Sequence, residues 1–170
     1  MPIVAGKIRV DWAKDKKNQK RKIYKNKASI HNVIHYVLDK AEYMNGYGVV
    51  TKRGANHVVK DFKSLKKECG KEGGRQLYHI IISFKDVRNA KEAYLIVKKV
   101  TRIVLRDMQY VFGIHMDTNI IHAHVVINSV TVQSGFKKLH FSRLDEEELL
   151  YEIADLCYEN LNPDELHSEW

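Results

Sequence analysis

The stretch His115–Asn128, HMDTNIIHAHVVIN, decides how this chain is read. Apolar side chains occupy alternate positions on both sides of a polar Asp-Thr-Asn step, the pattern of two strands joined by a tight turn at Thr118–Asn119. Side chains along a strand alternate between faces. His122 and His124 therefore share a face, with Asn128 further along it, and His115 and Asp117 share a face on the preceding strand. Centring the turn between Thr118 and Asn119 sets His115 opposite His122, where paired Cβ atoms lie about 4.5–5.5 Å apart. Three imidazoles then converge from adjacent strands, while Ile114, Met116, Ile121, Ala123, Val125 and Ile127 are expected to face the core.

Three clustered imidazoles suit a divalent metal, and an open fourth position would make the site catalytic rather than structural. Asp117 is expected to hydrogen-bond the second nitrogen of a ligand histidine and hold its tautomer. Histidine donors point physically to Mn²⁺, Zn²⁺ or Ni²⁺, since Mg²⁺ prefers oxygen and retains its water.

Outward from this hairpin, helical and strand patterns alternate. Ile3–Val10 reads as a strand. Ser29–Met44 has helical spacing, with Ser29 as its cap. His57–Cys69 reads as a second helix ending at Gly70. Gln76–Phe84 (QLYHIIISF) is a short β-branched run of a buried strand; it carries Ser83, a hydroxyl suited to a phosphate or sugar, and His79, which reads as a structural histidine on the same face. Asn89–Arg106 is a long amphipathic helix capped by Asn89. Strands follow at Gln109–Asp117, Ile120–Val132 and Phe136–Phe141, then a helix over Asp145–Leu161 that stops before Pro163. The order predicts an α+β fold: a central antiparallel sheet with helices on one face and the other open for a substrate.

The chain's 170 residues, 44% of them apolar, suit one compact domain spanning 1–170. Two cysteines, Cys69 and Cys157, suggest no disulfide framework and a reducing, cytoplasmic setting. No stretch approaches the roughly 20 apolar residues that span a membrane, and the N-terminus lacks the features of a signal peptide. The net charge of +8 favours a polyanionic partner, nucleic acid first. Much of it gathers at 14–27 (KDKKNQKRKIYKNK), a basic arm or loop with Asp15 as its single acid; Arg21 and Lys22 within it are candidate phosphate contacts. The acidic stretch Leu144–Glu169 reads as a surface helix on the side away from nucleic acid.

The hairpin motif, His115-x-Asp117 followed by His122-x-His124 and Asn128, resembles the third motif of the relaxase/mobilisation nuclease family, the HUH-type endonucleases that start conjugative DNA transfer. Leu77–Phe84 is similar to the family's second motif, ending in Ser83-Phe84. Asn32–Val37 resembles the first, which carries a tyrosine nucleophile. Lys137-Lys138-Leu139-His140 and the helix bearing Asp155-Leu156-Cys157 look like its closing region. The likeness covers roughly residues 29–162. It implies a ferredoxin- or RRM-like palm and a Mg²⁺ or Mn²⁺ ion held by His115, His122 and His124. It also implies that Tyr36 attacks one phosphodiester of single-stranded origin-of-transfer DNA, leaving a 5′-phosphotyrosine, with Asp117 in support and Ser83, Asn128, Lys137, Lys138, Arg21 and Lys22 on the DNA. Accessory relaxosome proteins and a coupling protein are the partners such a domain would meet. On spacing alone Tyr36 ranks no higher than Tyr43, with Tyr47 and Tyr24 as further rivals. An HUH-type replication initiator or transposase shares the same chemistry. A metallohydrolase using bound water would leave no covalent adduct. A non-catalytic single-strand-binding module is the reading from another class; the 9% aromatic content and the lack of a basic–aromatic ladder offer little for base stacking.

Overall fold

The computed structural model describes residues 1–131 and 143–161; the strand expected at Phe136–Phe141, with Lys137 and Lys138, lies outside the described residues. Among the described residues, six strands form one sheet in the order β1-β2-β4-β6-β5-β3, and every pairing between them is antiparallel. The strands are β1 (Ile3–Ala5), β2 (Ile8–Trp12), β3 (Tyr43–Tyr47), β4 (Leu77–Phe84), β5 (Met108–His115) and β6 (Ile121–Thr131). Four helices accompany them: α1 (Ala28–Asp39), α2 (Ala55–Glu68), α3 (Ala90–Val104) and α4 (Arg143–Leu161). The α+β antiparallel architecture is the expected one.

Strand parity builds the main core. Tyr78, Ile80, Ile82 and Phe84 of β4 point to one face with Ala123, Val125 and Ile127 of β6 and Tyr110, Phe112 and Ile114 of β5. Helix α3 closes this face with Ala93, Ile96, Val97 and Val100, and α4 adds Leu149, Leu150, Ile153 and Cys157. Burying each large aliphatic side chain contributes about 1.5–3 kcal/mol, so α4 is a structural wall as well as an acidic surface. The Asn89 side chain accepts from the Glu92 amide at 2.9 Å and caps α3 as its sequence implies.

Three expectations change. The opening strand is a hairpin, β1–β2, turned at Gly6, whose φ of 55° suits a residue without Cβ. Helix α1 starts one residue before Ser29, with Lys27 at the N-cap and no side-chain cap; Asn26, one residue earlier, accepts from the Ala28 amide. It stops at Asp39, and Tyr43–Tyr47 form edge strand β3 against β5.

The helices also cover both faces rather than one. Val33, Ile34 and Val37 of α1 and Val58, Val59 and Phe62 of α2 pack on Leu77, Val111 and Val126, forming a second core on the opposite side. Those three sheet residues lie within continuous apolar runs, which periodicity alone cannot assign to a face. The second core covers only part of its face, and the histidines occupy the part beyond it.

Candidate metal centre

His115 pairs with His122 across the β5–β6 hairpin, and His124 lies opposite Gly113 two residues along. One ring nitrogen from each of His115, His122 and His124 lies within 4.8 Å of those of the other two. Hydrogen bonding at each ring's other nitrogen identifies the atoms that converge. His115 donates from Nε2 to the Val37 carbonyl at 2.7 Å, leaving Nδ1 bare. His122 donates from Nδ1 to the Ile120 carbonyl at 2.9 Å, leaving Nε2. His124 shares a 2.8 Å hydrogen bond from Nδ1 with His79 Nε2. His115 Nδ1 and His124 Nε2 are buried and have no hydrogen-bond partner among the described residues. Buried polar atoms normally find one, so these two orphaned nitrogens beside His122 Nε2 fit a cation.

Burial favours the neutral form that a metal requires at His115 and His124, and at their neighbour His79. Burial pushes His124 down to about 2, with the neighbouring histidines adding to the effect, and pushes His79 down to about 3. His115 is lowered by burial too, partly offset by its bond to Val37. The unfolded chain takes up these protons near pH 6.5 while the folded protein refuses them, so stability falls as pH drops below that value. Between pH 7.5 and 5.5 the metal-free protein should lose about 1–3 kcal/mol from His79 and His124 together. Denaturant titrations at the two pH values measure this, and His79→Gln should flatten the dependence by about one proton. Equal slopes in the two proteins would disprove it.

Helix α1 brings the tyrosine to the cluster. A Cβ on Gly113 would lie 2.7 Å from the Val37 carbonyl oxygen and 2.9 Å from Ala41 Cβ, so the glycine allows the end of α1 to rest directly on β5. One of the helix's last carbonyls, which lack intrahelical partners, is then satisfied by His115. Val33 and Val37 face the core, and Tyr36 between them is 43% exposed. Its ring centroid lies 5.3 Å from that of His124 and 5.7 Å from that of His115. Two of the rival tyrosines are elsewhere, and the third lies in the same cleft but is tied to His79. Tyr43 and Tyr47 pair with Ile114 and Tyr110 on β3, which places them on the α3 face, and Tyr43 stacks on Tyr94 at 5.2 Å. Tyr24 is buried with its hydroxyl 2.9 Å from His79 Nδ1.

The remaining expected site residues divide. Asp117 does not hold a second nitrogen, because β5 ends at His115 and strand alternation does not reach it; backbone carbonyls and His79 take that role. Its Oδ1 instead stands 3.7 Å from His122 Nε2, on the metal-facing side. Met116, also past the strand end, is exposed rather than core-facing. Ser83 lies opposite His122 on β4, on the site's face. Asn128 is fully buried under α2, where its amide donates to Gln109 Oε1 at 2.7 Å and the Phe62 carbonyl at 3.2 Å; it braces the second core and does not line the site.

The basic stretch is a loop pinned at its base. Ala13 donates to the His79 carbonyl and Lys22 to that of Ala13, and Lys14 bridges Arg21. Arg21 is turned away from the histidines: its guanidinium lies 3.9 Å over Trp12 and 2.5 Å from Glu146 of α4. Lys16, Lys17 and Lys22 are exposed and rim a cleft of about 590 Å³ whose floor includes Tyr36, His79 and His124. Lys40, overlooked in the sequence, has its ammonium 5.7 Å from the Tyr36 ring; its i,i+4 spacing from Tyr36 was the available signal.

Residues 36–161 match the family described as relaxase, MobA/VirD2-like, nuclease domain. The chain belongs to that family. It is also similar to "Protein rlx" from Staphylococcus aureus, 29% identical over 136 residues, which is 79% of this chain and 41% of the relative. The chain thus spans less than half the length of that curated relative. A relaxase-type nuclease is a DNA-cleaving domain, and the histidine triad is a group that could hold a metal ion. Among the described residues no helix is long and apolar enough to cross a membrane.

Proposed function

We propose that this relaxase-family domain nicks one strand of single-stranded origin-of-transfer DNA to initiate conjugative transfer or mobilisation, using Tyr36 as nucleophile. The observation that carries the reading is the contact of the Tyr36 ring with His115 and His124 on the floor of a lysine-rimmed cleft. The Tyr36 oxygen forms a bond to phosphorus as the P–O3′ bond breaks. The phenolic proton is released, the departing 3′ oxygen takes one up, and the protein is left joined to the 5′ end as a phosphotyrosine. The free 3′-hydroxyl can reverse the step and reseal the strand.

Burial and the Asp117 carboxylate hold the Tyr36 phenol above its usual 10, so the hydroxyl alone is a weak nucleophile. A divalent cation held by His115, His122 and His124 would polarise the scissile phosphate and favour the phenolate. Three neutral imidazoles suit Mn²⁺ best among the ions a nuclease commonly uses; Mg²⁺ would bind more weakly, and Zn²⁺ or Ni²⁺ would compete in a purified sample. Asp117 balances charge beside His122. Lys16, Lys17, Lys22 and Lys40 neutralise backbone phosphates, and Ser83 extends the strand's path along β4. Accessory relaxosome proteins and a coupling protein are the partners this role requires, in the cytoplasm.

The test is to incubate the protein with Mn²⁺ and labelled single-stranded origin oligonucleotides and look for a protein–DNA adduct that survives denaturation. Cleavage without an adduct would replace the tyrosine route with hydrolysis by water, and neither product on any origin sequence would overturn the reading.

A further inference from the structure

Two of the three candidate ligand histidines have their tautomers fixed by backbone carbonyls, which can only accept. The third does not. His124 Nδ1 faces His79 Nε2 at 2.8 Å, and a bond between two imidazoles can run in either direction. His79 in turn faces the Tyr24 hydroxyl through Nδ1 at 2.9 Å, and a hydroxyl can also run either way. Tyr24, His79 and His124 are all buried. The chain therefore has two self-consistent proton orders. In one, Tyr24 donates to His79, His79 donates to His124, and His124 presents an N–H at Nε2. In the other, His124 Nδ1–H donates to His79, His79 Nδ1–H donates to the Tyr24 oxygen, and His124 Nε2 is a bare lone pair.

We propose that the second order holds, and that His79 and Tyr24 are positioning residues which set His124 as a metal ligand through Nε2. The first order buries an N–H with no acceptor among the described residues within hydrogen-bonding reach, an unsatisfied donor that folded proteins avoid. The second leaves a lone pair converging with His115 Nδ1 and His122 Nε2, the arrangement a cation satisfies. Tyr24 lines the cleft, so its own O–H can turn toward water while its oxygen accepts from His79. The loop's base is fastened here as well: Ala13 donates to the His79 carbonyl and Gln76 to that of Tyr24, so both side chains are held from their backbones. The proposal rests on the metal-site reading above and adds that a histidine, rather than a carboxylate, orients the third ligand.

The experiment reads ring-nitrogen protonation of His124 by long-range ¹H–¹⁵N correlation in the metal-free full chain at pH 8. Nδ1–H with a bare Nε2 is expected; Nε2–H overturns the proposal. His79→Phe removes the acceptor and should return His124 to Nε2–H and weaken Mn²⁺ binding, measured calorimetrically, about 10–100-fold. His79→Gln keeps a side-chain acceptor and should recover both the tautomer and most of the affinity. Tyr24→Phe, the gentler change and the deciding one if His79→Phe does not fold, should give a mixed tautomer and a smaller loss. An unchanged tautomer and affinity in Tyr24→Phe removes Tyr24 from the scheme, and the same result in His79→Phe removes His79. These readouts are independent of DNA. If they hold while no adduct forms, the nuclease reading fails and the positioning scheme stands.

Discussion

Tyr36→Phe should abolish the covalent DNA adduct while leaving the protein folded. Phenylalanine preserves the ring that lies 5.3 Å from His124 and 5.7 Å from His115, and removes only the oxygen. Because the side chain is 43% exposed and the helix is held by Val33, Ile34 and Val37, the change in stability should stay within about 0.5 kcal/mol. Strand cleavage should fall by on the order of 10⁴-fold or more, the scale seen when a nucleophile is deleted from an otherwise intact site. DNA binding should persist, since the lysine rim is untouched. Tyr24→Phe and Tyr43→Phe are the informative companions. Tyr43 lies on the opposite face of the sheet and should cleave normally. Tyr24 is buried behind His79, so its loss should alter metal affinity without removing the adduct. Adduct retained in Tyr36→Phe and lost in Tyr24→Phe would transfer the nucleophile to Tyr24.

The histidine cluster was legible because it depends on the two most rigid rules of strand geometry, the period of two and the arithmetic of a tight turn. Both set His115 against His122 from the sequence alone, and the β5–β6 register pairs them. Asp117 was misassigned for a related reason: alternation holds only while the strand continues, and nothing in His-Met-Asp marks β5 as ending at His115. Edge strand β3 was absorbed into the preceding helix because Lys40 and Ala41 carry no glycine or proline stop, and Tyr-Met-Asn-Gly-Tyr has little strand character of its own. That error made Tyr43 a rival to Tyr36; as a strand residue, parity sends it to the far face. Asn128 has the right parity for the site, but parity says nothing about how far along a face a helix lies, and α2 covers it. The partnership of His79 with His124 joins positions 45 residues apart, a register between β4 and β6 that no local pattern encodes. Gly113 was equally silent, since its importance comes from the approach of α1.

The other large effect concerns the metal. Chelator should reduce cleavage to background, and Mn²⁺ should restore it in the unmodified protein but not in His122→Ala. His122 is the better probe of the triad. Its side chain is 13% exposed and donates to a nearby backbone carbonyl, whereas truncating His115 or His124 would also open the buried floor. The physical basis is the pair of orphaned nitrogens, His115 Nδ1 and His124 Nε2: without a cation their lone pairs face His122 Nε2 unsatisfied, and with one the three become ligands. Binding must then stabilise the fold, by about 2.7 kcal/mol at a metal concentration one hundred times the dissociation constant. For a domain of this size that is a rise in Tm of about 5–11 °C. The rise should shrink to about 1–2 °C or less in His122→Ala at the same Mn²⁺ concentration, because a site reduced to two imidazoles should lose at least about 100-fold in affinity. The thermal shift needs no DNA, so it separates loss of the ion from loss of chemistry. Full cleavage in the presence of chelator, or an equal thermal shift in His122→Ala, would show that the triad is not the metal centre.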